Sequence, residues 1–201
     1  MGSTLSIKSD SDDICKNTCA TIPENISIDD CSFANTIIVP LSHSDIFALQ
    51  GTWLKVKARW FEICTIAFER WLVADPEIRT LFKDLPDTLH SKDLMKHNSL
   101  KKHAYMIEKT LDQVLLILDK KKEFVNTLIE LGKLHYRLGA NHKYTKGLAL
   151  SLQCAVCQEV DIDISEESAW DSLFRFMLGL LKLGMRIEMN KQQQIKIMDA
   201  D

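Results

Sequence analysis

From about residue 43 onward the apolar positions recur every three or four residues, the period of helices with one buried face. The first such stripe starts near Ser44 and runs through Ile46, Leu49, Trp53, Val56 and Trp60. A second follows closely with Phe61, Cys64, Phe68 and Trp71, and stops at "ADP". There Asp75 is a candidate cap, and Pro76 suits the first turn of a short helix, "PEIRTLF", that ends at Phe82. Residues 83–96 carry Pro86 and read as irregular. The next stripe is His103, Ile107, Leu111, Val114 and Leu118; the charged turn "DKKKE" breaks it, and Phe124, Leu128, Leu131, His135 and Leu138 form another. Gly139 ends that pattern. A helix over about 145–160 buries Leu148, Leu152, Ala155 and Val156. The linker "DIDISEES" offers Ser165 as a cap, and the last helix carries Trp170, Leu173, Phe174, Met177 and Leu181. Every strong signal has the helical period, so the fold class is all-α.

Residues 1–42 differ. They are rich in Ser, Asp, Asn and Thr with no sustained period, and read as a disordered, flexible N-terminal extension. Residues 43–190 form the expected folded domain, and 191–201 a short C-terminal tail.

Composition narrows the function. The chain has 201 residues, 46% hydrophobic and 26% charged, enough for one domain with a full core. A net charge of −3 argues against nucleic acid as a partner, because phosphate binding needs a clustered basic surface. Seven Gly and four Pro are too few for the many turns of a sandwich or barrel. Residues 1–20 lack the apolar core of a secretory signal, and runs such as Val114–Leu118 fall far short of the roughly 20 residues that span a bilayer. The six cysteines are then most simply cytosolic thiols: Cys64 on a core stripe, and Cys154 and Cys157 as buried structural thiols. The expected location is cytoplasmic.

The candidate chemistry lies in two histidines. His103 and His135 each stand where an apolar stripe calls for an apolar residue, on consecutive helices with a short turn between. One buried histidine is ordinarily a core residue bonded to a backbone carbonyl. Two facing the same interior suit axial ligation of iron in an apolar pocket, since imidazole is a good iron ligand. Zinc is a poorer account, because it takes about four ligands and these faces carry no other His, Asp or Glu.

At this point the sequence resembles the globins, neuroglobin-like and nematode-type invertebrate globins in particular. "LQGTWLKV" looks like the first-helix tryptophan motif, "FERWLVADPEIRTLF" like the second helix and its proline corner, and "LKKHAYMI" like the distal helix. "LGKLHYRLG" looks like the proximal helix and "AWDSLFRFM" like the last one. The 32 residues from His103 to His135 match the separation in neuroglobin. The resemblance implies a three-over-three helical sandwich holding haem b. It makes His135 the proximal iron ligand and His103 the distal one, Phe82 the wedge at the corner before the distal helix, Phe68 a distal-pocket wall, and Ile107 a contact over the haem face. It departs at Met106, where such globins carry a lysine for a haem propionate. Replacements to consider are Lys83, Lys101, Arg137, His142 and Lys143.

What the resemblance implies is reversible binding of O2, CO or NO, with a bis-histidine, six-coordinate iron in the absence of gas and a role in redox signalling or electron transfer. The alternatives are a five-coordinate O2 carrier and an NO dioxygenase or nitrite reductase that draws on an external electron donor. No separate catalytic residue is assigned. A haem-free helical interaction module is the rival of another class. Finally, "MGSTLS" fits the myristoylation pattern at Gly2, and Cys15 and Cys19 are candidates for palmitoylation. One acyl chain gives only marginal anchoring, so the second would be needed to hold the protein at the inner face of the plasma membrane.

Overall fold

The computed structural model describes residues 37–82, 85–86 and 91–199, and among them every regular element is helical. The elements are α1 (His43–Ala58), α2 (Trp60–Ala74), 3₁₀ turns at Pro76–Leu81 and Ser91–Lys96, α3 (Asn98–Leu116), α4 (Lys121–Arg137), α5 (His142–Glu159) and α6 (Ile164–Met198). The positions expected for lipidation, Gly2, Cys15 and Cys19, lie outside the described residues.

Local chemistry sets most boundaries. Ser42 caps α1 with a reciprocal pair of bonds: Asp45 N–H to Ser42 Oγ at 3.2 Å and Ser42 N–H to the Asp45 carboxylate at 2.8 Å. Arg59, at φ −111° and ψ 15°, separates α1 from α2. Trp60 takes the inward position at the start of α2, so Phe61 beside it is 44% exposed instead of lining the core. Asp75 does not cap the turn that starts at Pro76; its carboxylate meets Lys143 Nζ at 2.5 Å. At α6 the cap is Asp163, not Ser165. The Asp163 carboxylate accepts the N–H of Ser165 and of Glu166 at 2.8 and 2.9 Å, and Ser165 spends its hydroxyl on the same oxygen.

Two boundaries differ from expectation. Ile37 is buried in the core, with Val39 and Leu41 packed against it, so the packed region reaches back past residue 43. At the other end α6 continues to Met198, so the expected tail is helical as far as that residue.

The core is built around tryptophans whose indole N–H groups are all bonded, as burial demands. Trp53 packs edge-on to Trp60 at 5.9 Å between ring centres and against Trp170 at 6.2 Å. Trp170 donates to Thr52 Oγ1 at 3.0 Å, Trp53 to Asp112 at 2.8 Å, and Trp60 to the Ala104 carbonyl at 2.8 Å. Helix α4 packs on α6, α2 on α5, and α1 on both α3 and α6.

The α4–α6 crossing is unusually close. A Cβ placed on Gly132 would lie 2.2 Å from the Leu181 carbonyl oxygen, and one on Gly184 would lie 2.1 Å from that of Ile129. The two backbones therefore touch, and only glycine fits on either side. Gly184→Ala should lower unfolding free energy by about 1–3 kcal/mol as the helices are forced apart. Gly51 in α1 has nothing within 4 Å of its would-be Cβ, so Gly51→Ala should raise stability by about 0.5–1 kcal/mol. Urea denaturation of the two variants checks both signs.

Candidate functional site

His135 lies in the last turn of α4, three residues past the glycine at the crossing with α6. Its Nδ1 lies 2.8 Å from the Leu131 carbonyl oxygen, one turn back. A carbonyl can only accept, so Nδ1 donates and Nε2 is the ring nitrogen left free of this bond. The main chain here is held as well. Gly139 stands at φ +84°, Ala140 N–H bonds to the His135 carbonyl at 3.0 Å, and Gly139 N–H bonds to that of Tyr136 at 3.0 Å. This pair of bonds closes the helix immediately after the histidine. It also turns Leu138, expected on the buried stripe, out of the interior: it follows the last helical residue and is 70% exposed.

His103 comes from α3 and sits among aromatic rings. Phe68 of α2 stacks on its imidazole at 6.0 Å between centres and 25° between planes. Phe82, just beyond the Pro76–Leu81 turn, meets it edge-on at 5.6 Å and 70°. Burial pushes the His103 imidazole down to about 4, and its electrostatic interaction with His135 adds to the effect. The ring is thus neutral near pH 7, the form that ligates metals. Ile107 is half-buried one turn further along α3 and packs against the core.

The structure therefore gathers His103, Phe68 and Phe82 directly and sets His135 within electrostatic reach of His103. Among the described residues no three His, Cys, Asp or Glu side chains come together as a metal-ion site. A bare cation would find two imidazoles, short of the four ligands zinc takes. A haem would need an imidazole ligand and an apolar, aromatic pocket, and His135, His103, Phe68 and Phe82 would supply them.

Several supporting residues were not singled out by sequence reasoning. Trp71 packs against both Phe68 (6.0 Å) and Phe82 (5.8 Å), and its indole N–H donates to the Tyr144 carbonyl at 2.9 Å. Trp60 ties α2 to α3 at Ala104, the residue after His103. Both lay on stripes that signalled core, and a core tryptophan's bonding partner has no sequence signature. Of the basic residues considered for a propionate, Lys143 is engaged by Asp75 and Glu77, and Arg137 by Glu188. Lys101 is exposed, Lys83 lies outside the described residues, and His142 has a buried Nδ1 without a hydrogen-bond partner. Cys64 is buried as expected, but Cys154 is exposed and Cys157 only half-buried, because α5 turns them away from its Leu148–Leu152 face.

A globin family model matches residues 65–179. Neuroglobin of Chaenocephalus aceratus is 22% identical over 148 residues, covering 72% of this chain and 92% of that protein, and neuroglobin of Dissostichus mawsoni matches to the same extent. Among solved structures, the globin-like protein Glb-12 from C. elegans superposes with a TM-score of 0.65 at 14% identity, covering 81% of this chain and 94% of that one. A hexacoordinated haem protein from an anhydrobiotic tardigrade superposes with a TM-score of 0.63 at 16% identity, covering 74% and 97%. The chain belongs to the globin family and is neuroglobin-like, as its motifs suggested, and it is all-α among the described residues, as its stripes did. As a globin it is a haem-binding protein for diatomic gases.

The His103 environment has a measurable signature in the haem-free protein. Its imidazole titrates near 4 when folded and near 6.5 when unfolded. Between these values the unfolded chain binds the extra proton, so stability falls as pH drops from about 6.5 towards 4. The loss attributable to this group is on the order of 3 kcal/mol. Comparing denaturation of the wild type and His103→Leu across that range checks it: the variant should show a correspondingly shallower acid-side decline.

Proposed function

We propose that the chain is a haem b globin in which His135 is the proximal iron ligand and His103 the distal one, occupying the sixth position when no gas is bound. The observation that carries this reading is the His135 Nδ1 bond to the Leu131 carbonyl, which aims the ring and leaves Nε2 as the nitrogen free to ligate, together with the neutral imidazole of His103 held in the same interior. Metal-ligating histidines depend on such a partner for tautomer and orientation. When bound, haem supplies reversible diatomic-gas binding and one-electron exchange.

The chain's own residues tune both. His103 competes with any gas for one site, so apparent affinity falls by the fraction of time the imidazole is withdrawn. Phe68 and Phe82 flank that imidazole, exclude water and offer no hydroxyl, leaving His103 as the polar group of the distal side. Ile107 adds aliphatic cover. A six-coordinate resting state suits gas sensing, redox signalling or electron transfer to a partner more than bulk O2 storage. The six-coordinate haem protein among the similar folds is in keeping with this reading.

His135→Ala should abolish tight haem binding, read as loss of the Soret band after reconstitution and gel filtration. In the reduced wild type, sharp split visible bands are expected. His103→Leu should convert them to one broad band and raise the CO on-rate. A broad band already present in the wild type would favour the five-coordinate carrier instead.

An N-terminal lipid at Gly2, with Cys15 and Cys19 as second acylation sites, is the accompanying proposal. It would place the domain at a membrane surface without a spanning segment; among the described residues no helix is long and apolar enough to cross a membrane. Mass spectrometry of the mature N-terminus from native tissue should show the acyl group, and a free or acetylated terminus removes the anchor.

A further inference from the structure

The C-x-x-C at Cys154 and Cys157 takes no part in the histidine site. Cys154 projects from α5 to solvent. Arg70, reaching across from α2, directs its Nη1 at the Cys154 sulfur at 3.1 Å. Its Nη2 is anchored on Gln158 Oε1 at 2.6 Å, which fixes the guanidinium over the thiol. The exposed sulfur of Cys154 is thus held at hydrogen-bond distance from a fixed guanidinium. Cys157, one helical turn on, is half-buried and turned towards the carboxylates of Glu167 and Asp171 on α6. Burial, with Glu167 adding to it, pushes its thiol up to about 11. One turn of helix thus carries two thiols in opposite settings, one exposed beside a cation and one shielded beside carboxylates. That is the asymmetry of an attacking and a resolving thiol.

We propose that Cys154 and Cys157 form a thiol–disulfide exchange site for low-molecular-weight disulfides, with Cys154 activated by Arg70 as the attacking thiol and Cys157 as the resolving one. In the first step the Cys154 thiolate attacks one sulfur of the incoming disulfide, forming a mixed disulfide and releasing one small thiolate. In the second the Cys157 sulfur, giving up its proton to solvent, attacks the Cys154 sulfur; the protein disulfide forms and the second small thiolate leaves. Two protein thiols are oxidised and one small disulfide is reduced to two thiols. Side chains three apart on a helix hold their Cβ atoms about 5–6 Å apart, against about 3.5–4.5 Å in a relaxed disulfide. The helix must tighten locally to close the bond, so the product is strained and easily reduced, as a reversible switch requires.

The test is incubation of the full chain with glutathione disulfide, followed by alkylation and peptide mass mapping, which separates this pair from the other cysteines. The wild-type peptide should lose two hydrogens and regain them with dithiothreitol. Cys157→Ser should stop at a mixed disulfide on Cys154, and Cys154→Ser should leave Cys157 unmodified. Arg70→Gln, with helicity unchanged by circular dichroism, should slow modification of Cys154 several-fold. Equal reactivity of the two thiols in the single variants, an unchanged rate in Arg70→Gln, or no adduct at either residue would overturn the proposal.

Discussion

The contact between Gly132 and Gly184 governs much of what surrounds it. Two helices whose backbones touch cannot slide or rotate without one glycine Cα striking the other helix's carbonyl. The crossing therefore fixes α4 in depth and in rotation, and His135 follows from it within one turn. The bond from His135 Nδ1 to Leu131 then sets the ring, and the Gly139 turn sets the helix end. Three local devices between Leu131 and Ala140 hold one imidazole, each using backbone groups that no neighbouring side chain can replace.

The opposite histidine is held by different means. His103 has aromatic walls, and those walls are braced from behind: Trp71 lies against both Phe68 and Phe82 and is pinned to the start of α5 through Tyr144. Helix α3 itself is moored to α2 by the Trp60 bond at Ala104. The side of the site that a gas would have to share is thus enclosed by packing, whereas the other is enclosed by hydrogen bonds and close backbone contact. Packed rings can shift by small rotations; a backbone-to-backbone crossing cannot. That division suits the proposed roles, in which His135 would stay on the iron and His103 would yield.

Much of this was legible in the sequence because helical periodicity reports burial directly. The stripes through Leu49, Trp53 and Val56, or through Leu148 and Leu152, are buried as read. The pairing of His103 with His135 was visible because polar residues on apolar stripes are costly and so stand out. What was not legible depends on tertiary partners. Nothing local distinguishes Asp163 from Ser165 as a cap until the carboxylate is seen accepting both N–H groups. Nothing distinguishes Gly132 from an ordinary helix glycine until Leu181 is seen against it. Phe61 and Leu138 obeyed the period but stood at helix ends, where the stripe continues in sequence and the core does not.

Lys143 binds the carboxylates of Asp75 at 2.5 Å and Glu77 at 2.9 Å, clipping the corner that leads to Phe82 onto the first turn of α5. The lysine and Glu77 are well exposed, so dissolved salt weakens this clip, while the bonds around His135, which run to backbone carbonyls and not between ions, feel salt little. Ionic strength then acts on the two sides of the interior unequally: it loosens the wall that carries Phe82 and leaves the opposite anchor in place. On the proposed reading, gas affinity would then depend on the composition of the surrounding solution through the ion triad of Asp75, Glu77 and Lys143.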